Sequence, residues 1–528
     1  MEIDEYYEIA KEETSQEIKE AVRATRETVE NFHAGGVPPA NMQTATVQPG
    51  DGKVKITFKE PADTVIENQL ICTVKGCRVM MKEDGYPENE KDGTLVVDNT
   101  ELGKYASQAI EITGLENGKT YYFAFFPYSD QGLFNYNQAN RREAAPKAYT
   151  LYGFKINKND SNPDTRITYT EGAVGMTPAR MNFSTGKFDY GDWADAWFIK
   201  GNKPYMVKYD GTVDYELNPD DYTKKAAGGS SDVANASYGG NAMAAFPLAW
   251  FKRWEEGNYE YVNVCDIQLD ETYKAYAHTR ADGSIMDVKY LAMFEGSYIS
   301  SKMRSLSGQG VGVNQTAATE ISYATANGAR WYTQSFSEWA MVADLLRLIG
   351  RSDNAQTTFG YGRGGASAQM STGSLNTKGQ FFGKSQAQST TDAVKVFHIE
   401  NFWGNVWNRI AGLMNLNGKI YIKPTPGYNT TGSGYVNTGL TPGGTSGGYI
   451  NLTKMTEYGR IGYNASGSET TYACDGLWFN NSQVDYALVG GSWNCAGLLG
   501  FSYVLLSYAA SNANTSIGAC LSCEQPAA

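Results

Sequence analysis

The chain has 528 residues, a formal net charge of −12 and a pI near 5.0. That length holds two or three domains and a large buried core, and the acidic balance, with no long basic run, argues against a nucleic-acid partner. With 57 Gly, 36 Tyr and 13% aromatic residues, the composition is that of a strand- and loop-rich protein.

The N-terminus, MEIDEYYEIAKEETSQE, is acidic and lacks an apolar stretch, so no secretory signal peptide is expected. Ile3 to Phe32 predicts a helix, rich in Glu, Lys, Ala and Arg with no Gly or Pro before Gly35. Ile18, Val22, Thr25, Val29 and Phe32 step by four and three, which is a short heptad seam or the apolar stripe of one docked helix. Gly35-Gly36-Val37-Pro38-Pro39 ends it as a linker. The first segment, 1–40, is therefore expected to attach or trimerise the chain.

Residues 41–149 predict a β-sandwich. Lys53-Val-Lys-Ile-Thr-Phe58 alternates polar and apolar over one strand. Leu115-Glu-Asn-Gly-Lys-Thr-Tyr121, followed by YFAFFPY, resembles the tyrosine corner of a fibronectin type III module, with Phe58 where that family often carries Trp. Such modules are spacers.

From about 150 the texture changes to strand-like segments between Gly/Ser/Asn/Thr loops. Tyr273–Thr279 and Ile285–Met293 read as a hairpin around Asp282-Gly283. Ser337–Ile349 predicts a helix with Ser337 as cap, Gly350 as stop and Trp339, Val342, Leu345, Leu346 and Ile349 on its apolar face. Trp403–Leu413 predicts a second, shorter amphipathic helix. Long loops at 226–240, 360–379 and 424–448 are expected to be functional, swapped between subunits, or mobile. The longest apolar runs, such as AMAAFPLAWF (242–251), are too short to cross a bilayer, and no membrane insertion is expected.

Several residue sets invite a chemical reading. Asp189, Asp192 and Asp195 can be a calcium site or a carboxylate pair, but their spacing matches no EF-hand and a solvated turn is the simpler expectation. Asp220-Asp221 after Pro219 is a turn signal. His278 lacks an identifiable nucleophile and acid, so it reads as a hydrogen-bonded structural histidine. Phe402, Trp403 and Trp407 can stack sugars or pack in the core; their spacing with Ile410 and Leu413 favours the core. Cys72, Cys77, Cys265, Cys474, Cys495, Cys520 and Cys523 are odd in number and without a repeating spacing, which argues against a disulfide framework. Cys520-x-x-Cys523 lacks a second pair, and three scattered histidines make a metal site improbable, so no cofactor or metal is expected.

The last fifty residues, Cys474 to Cys523, are the most informative. They set Trp478, Phe479, Tyr486, Trp493, Phe501, Tyr503 and Tyr508 among Asn, Ser, Gly and Cys. That mixture suits a recognition surface or an aromatic β core. Ala487-Leu488-Val489 runs into Gly490-Gly491-Ser492-Trp493 as a buried strand and a glycine turn. Asn494–Tyr508 has neither clean alternation nor a helical stripe, SNANTS (511–516) is loop chemistry, and Ile517–Cys523 closes as a short strand. An irregular segment between scaffold strands suits display better than catalysis.

ALVGGSW, the later Ala509-Ala510-Ser511, Ile517-Gly518-Ala519 and Leu521-Ser522-Cys523 resemble the variable C-terminal region of diversity-generating retroelement target proteins, which display variable residues on a C-type lectin fold. From about Tyr152 onward the chain is similar to tropism-determinant-like phage tail receptor-binding proteins of this type, in YGFKINKNDSNP, AVGMTPARMNFSTGKFDYGDW, AYAHTRADGSI and IENFWGNVW. In such systems, randomising the two leading adenines of a codon with a pyrimidine third base cannot yield Met, Trp, Gln, Lys or Glu. Asn494–Ser522 contains none of the five, although each occurs elsewhere; burial also removes Lys and Glu, but accounts less well for Met and Trp.

The expectation is an α+β chain: an N-terminal helix (1–40), a fibronectin type III-like module (41–149) and a C-type lectin-like domain (150–528) with its variable region at about 474–523. The resemblance implies a non-enzymatic phage tail protein of the virion that binds a host bacterial surface protein or glycan. It would trimerise with itself and meet other tail proteins through its N-terminus. The display face is expected to comprise Trp478, Asn480, Ser482, Asp485, Ser492, Asn494, Cys495, Leu498, Leu499, Phe501, Tyr503, Leu505 and Tyr508, with Leu498, Leu499 and Phe501 as an exposed apolar patch and Trp493, Gly490 and Gly491 as scaffold. The alternatives are an inert structural tail or baseplate protein and an enzyme of the formylglycine-generating or glycan-active kind. The enzyme reading takes its motive from Gly490-Gly491-Ser492-Trp493 and from Cys495, Cys520 and Cys523.

Overall fold

A computed structural model describes Arg23 and residues 36–66, 69–385 and 393–527. The helix expected over Ile3–Phe32, with its heptad seam, lies outside the described residues except for Arg23. Contacts divide the chain between Tyr149 and Thr150.

In the first unit, the alternation of Lys53–Lys59 puts Val54, Ile56 and Phe58 fully inside. Burial of each such side chain contributes about 1.5–3 kcal/mol. This strand pairs with Thr44–Gly50 on one side and Ile110–Thr113 on the other. A second sheet, ordered Thr94–Asn99, Val74–Lys82, Tyr121–Ser129, Arg141–Ala144, shares the same core through Val79, Phe123 and Phe125. Phe58 meets Phe125 edge-on at 5.5 Å. The Glu116 amide donates to the Tyr121 hydroxyl at 3.1 Å, which ties the preceding turn to the strand.

The second unit is built on two larger sheets. One has seven strands, and the chain's last strand, Leu521–Glu524, lies inside it between Val288–Ala292 and Trp331–Thr333. The other has eight, with Trp407–Leu416, Val484–Val489, Val504–Leu506 and Gly476–Phe479 adjacent in that order and Ile517–Gly518 alongside Trp407. Between Tyr273 and Met293 the turn at Asp282-Gly283 forms, with Thr279 bridging Ile285. Tyr276–His278 is a 3-10 turn in place of the expected strand.

The helix expected at Ser337–Ile349 spans Phe336–Gly350, and all fifteen of its residues are buried. Its cap is Ser335, not Ser337: the Glu338 carboxylate accepts from the Ser335 N–H at 2.8 Å. Ser337 instead donates to the Pro424 carbonyl. Gly350 is the last helical residue, and Arg351 takes the left-handed terminating position at φ 47°.

The expected helix at Trp403–Leu413 does not form. Trp407–Leu416 is a strand buried on both faces; its polar members Asn408, Arg409 and Asn415 are hydrogen-bonded inside, so the helical spacing of Trp407, Ile410 and Leu413 marks no exposed face. Backbone at Gly404, Asn405 and Gly412 is left-handed (φ 83°, 61° and 81°), which a helix cannot accommodate.

Charge, too, is buried between the layers. Arg347 pairs with Asp344 at 3.1 Å and Asp353 at 2.9 Å; Arg460 pairs with Asp353 and Glu260; Arg253 pairs with Asp344 and Arg166 with Asp353. These groups stitch the helix to the sheets and to the loop after it. Removing one member leaves an uncompensated buried charge.

Candidate binding surface

The eight-stranded sheet has two dissimilar faces. Leu477, Val489, Val504 and Leu506 point into the core that holds the buried helix. Leu488 and Leu505 point the other way and join Trp407, Tyr503 and Ile517 in a second, thinner apolar layer. Trp478 lies opposite Leu505 and Leu488 opposite Leu505, so the indole belongs to this outer face.

Trp478 is 41% exposed. Its Nε1–H donates to the Tyr503 hydroxyl at 3.0 Å, which fixes the ring plane. The ring lies over Gly447, where an added Cβ would come within 2.6 Å of the indole. Beside it is the turn Cys495–Leu498, with Ala496 at φ 46°. Asn494 is exposed and accepts from the Ser492 hydroxyl at 2.6 Å; Cys495 and Leu498 are half-buried. Tyr449 and Glu469 close on this turn, within 2.9 and 3.2 Å of a Cβ placed at Gly497. Burial, and then the Glu469 charge, push the Tyr449 hydroxyl's pKa up. Further along the face, Tyr508 is half-buried, Ser482 is exposed, and Asn480 accepts from the Ser482 amide and hydroxyl. Arg409, paired with Glu320 at 2.7 Å, donates to the carbonyls of Ala510 and Asn512 and so anchors the exposed loop 511–515.

The expected display set therefore divides. Trp478, Asn480, Ser482, Asn494, Cys495, Leu498 and Tyr508 reach the surface. Asp485, Ser492, Leu499, Phe501, Tyr503 and Leu505 are buried, and the exposed apolar patch expected from Leu498, Leu499 and Phe501 does not exist. Three contacts explain it. The loop 360–379 covers Leu499, with a Cβ at Gly364 only 2.5 Å from it. Phe501 packs edge-on against Trp403 under the Arg347 guanidinium, and its carbonyl accepts from Trp339 Nε1 at 3.0 Å. Ser502 accepts from Arg347 Nη2 at 2.6 Å while its amide donates to Asp475 at 2.7 Å. Trp493, expected as scaffold, is half-buried; its main chain does the joining, to Asn405 and Ala366. Tyr449, Glu469 and Gly447 were not in the expected set; only Gly447 falls in the loop 424–448 singled out from the sequence, and nothing in the local sequence marks the other two.

The other candidate chemistries resolve as structure. Asp192 accepts from the Thr177 amide at 2.7 Å, Asp189 from the Gly191 amide, and Asp195 pairs with Lys200, all at exposed turns. His278 is buried with Nε2 3.1 Å from the Phe246 carbonyl, and burial lowers its pKa to about 4, so it is a neutral donor. Phe402 stacks on Trp339 at 4.0 Å, and Trp403 Nε1 donates to the Gly360 carbonyl. Cys495 packs with Trp407 and Tyr503, while Cys520 and Cys523 pack in a different cluster around Trp331. Among the described residues no group of three His, Cys, Asp or Glu side chains is placed to hold a metal, and no helix is long and apolar enough to cross a membrane.

No protein-family model matches this chain, and no curated protein matches it. Among solved structures it is similar to the Major Tropism Determinant U1 variant, at 12% identity and TM-score 0.26, over 61% of this chain and 72% of that one. The M1 variant gives 14% identity and 0.26, over 61% and 71%. The P3c variant gives 11% and 0.22, over 84% and 95%. At those scores and identities the likeness fixes neither the topology nor the function of this chain.

Proposed function

We propose that the chain is a phage tail receptor-binding protein whose C-terminal unit, of C-type lectin type, displays the outer face of the eight-stranded sheet to a host surface ligand. The motifs between Tyr152 and Trp407 and the composition of the terminal segment support this reading, as does the construction of the face. The observation that carries it is Trp478: a large ring left 41% exposed, yet held in one orientation by Tyr503 and Gly447. A rigid aromatic anchor flanked by small polar side chains is how recognition surfaces combine contact area with low ordering cost. Diversification acts on the rim around it: Asn480, Ser482, Asn494, Cys495, Leu498 and Tyr508. The first unit is a fibronectin type III-like spacer, and the protein is not an enzyme.

The test is adsorption of virions, or of the purified protein, to host cells. Trp478→Ala and Asn494→Ala should weaken binding, the former by at least about 2 kcal/mol if it is the central anchor, with thermal unfolding unchanged. Full adsorption by both variants would leave the outer face inert and favour a structural tail protein.

A further inference from the structure

A second cleft, of about 300 Å³, opens elsewhere in the same unit between Lys158-Asn159, the segment from Glu255 to Asn258, and Asn451 with the strand Leu452–Thr456 that follows it. It shares no residue with the outer face. That volume is at the small end of ligand sites and suits one sugar-sized ring.

Its lining is mostly polar and includes Asn159, Asn258, Asn451 and Tyr463. Lys158 and Lys454 flank Glu255 at 3.4 and 2.6 Å, so the rim has two cations for one carboxylate. Arg166 lines the floor with a side chain 1% exposed. Its Nε and Nη1 have no hydrogen-bond partner, and Nη1 reaches Asp353 only as a charge contact at 3.2 Å. An unpartnered buried guanidinium N–H is costly unless something accepts from it.

Beneath the cleft lies the buried charge network. Arg166, Arg253, Arg347 and Arg460 face three paired carboxylates, Asp344, Asp353 and Glu260. The nearby fourth, Asp475, is held toward its protonated form by burial. Asp160, whose charge also acts on Arg166, offsets the fourth cation, so the excess positive charge lies at the rim.

We propose that this cleft binds an acidic saccharide, with the sugar carboxylate set toward Lys158, Lys454 and the Arg166 floor, the hydroxyls on the asparagine amides and a ring face on Tyr463. An anion there balances the second lysine of the rim and offers an acceptor on the side of the unpartnered Arg166 N–H groups, and amides beside a tyrosine suit a polyhydroxylated ring. Such a site would give the protein a hold on surface polysaccharide that does not vary with the outer face.

The experiment is titration of the full chain at low ionic strength, by calorimetry or ligand-observed NMR, with methyl glucuronide, N-acetylneuraminic acid, methyl glucoside and inorganic phosphate. At least one acidic sugar should bind, with the glucoside about tenfold weaker or worse, and added salt should weaken the complex. Lys454→Gln, and Asn159→Asp at the exposed rim, should each reduce binding severalfold with an unchanged thermal midpoint, whereas Trp478→Ala should leave it intact. Absence of binding by both acidic sugars, equal binding of the glucoside, phosphate binding as tightly as either sugar, or loss of binding in Trp478→Ala each overturns the assignment.

Discussion

Single residues of the terminal segment play opposite parts although their types look alike. Phe501 and Tyr503 have the composition of a paratope, but Phe501 lies against Trp403 and Arg347, and Tyr503 against Trp407 at 4.5 Å. Phe501→Ala and Tyr503→Ala should therefore each cost about 3–5 kcal/mol in denaturant unfolding, as large-to-small changes in a packed core do. Trp493→Ala should cost less than either, because its indole is half-buried and its structural hydrogen bonds come from the main chain. Equal losses from all three would mean the Trp493 ring is packed as deeply as the other two. Local sequence could show that an aromatic anchor was present, but not which ring was covered. That depends on the distant loop 360–379 and on Arg347, more than a hundred residues away in the chain.

Elements were legible where the chain itself punctuates them. Val484–Val489 runs into Gly490 and Gly491, both at φ 80°, and the helix around Trp339 appears within one residue at each end. They were illegible where nearly every position is buried, polar ones included, as in Trp407–Leu416, because the spacing of its apolar residues then no longer follows the two faces of a strand. The strand Val484–Val489 also carries a titratable group that its neighbours do not neutralise. Asp485 accepts from Gln483 at 2.5 Å, its Oδ2 lacks a partner, and burial pushes its pKa up to about 6. Unfolded, it would titrate near 4. The folded state thus binds the proton more tightly, and stability from this group is full below about pH 4 and is lost as the pH rises through about 6. Urea midpoints measured from pH 4 to 7.5 should show that decline, and Asp485→Asn should flatten it. An unchanged slope in the variant would move the effect to another carboxyl. The helix and the strand Gly459–Asn464 meet through Asp353, which holds Arg347, Arg460 and Arg166 at once. Asp353→Asn should destabilise the unit by about 3–5 kcal/mol, since it leaves cations buried without their partner.

At the scale of the whole molecule, a display surface of this size needs help. The exposed part of the outer face is one tryptophan and a rim of mostly polar, partly covered side chains, which suits weak single-site binding and tolerance of rim changes. Closed cyclic assembly puts identical faces on one side and can raise avidity about 10²–10⁴-fold without any new contact. The heptad-like stepping of Ile18, Val22, Thr25, Val29 and Phe32 in the sequence supplies a motive for a homotrimer. Multi-angle light scattering at micromolar concentration should return three chains, and a chain lacking residues 1–40 should fall toward monomer while keeping its Trp478-dependent binding at reduced avidity. A full-length monomer would rule out the trimer. A trimer that survives the deletion would instead place the assembly contacts within residues 41–528, and the long loops at 226–240 and 424–448 would be the first segments to substitute.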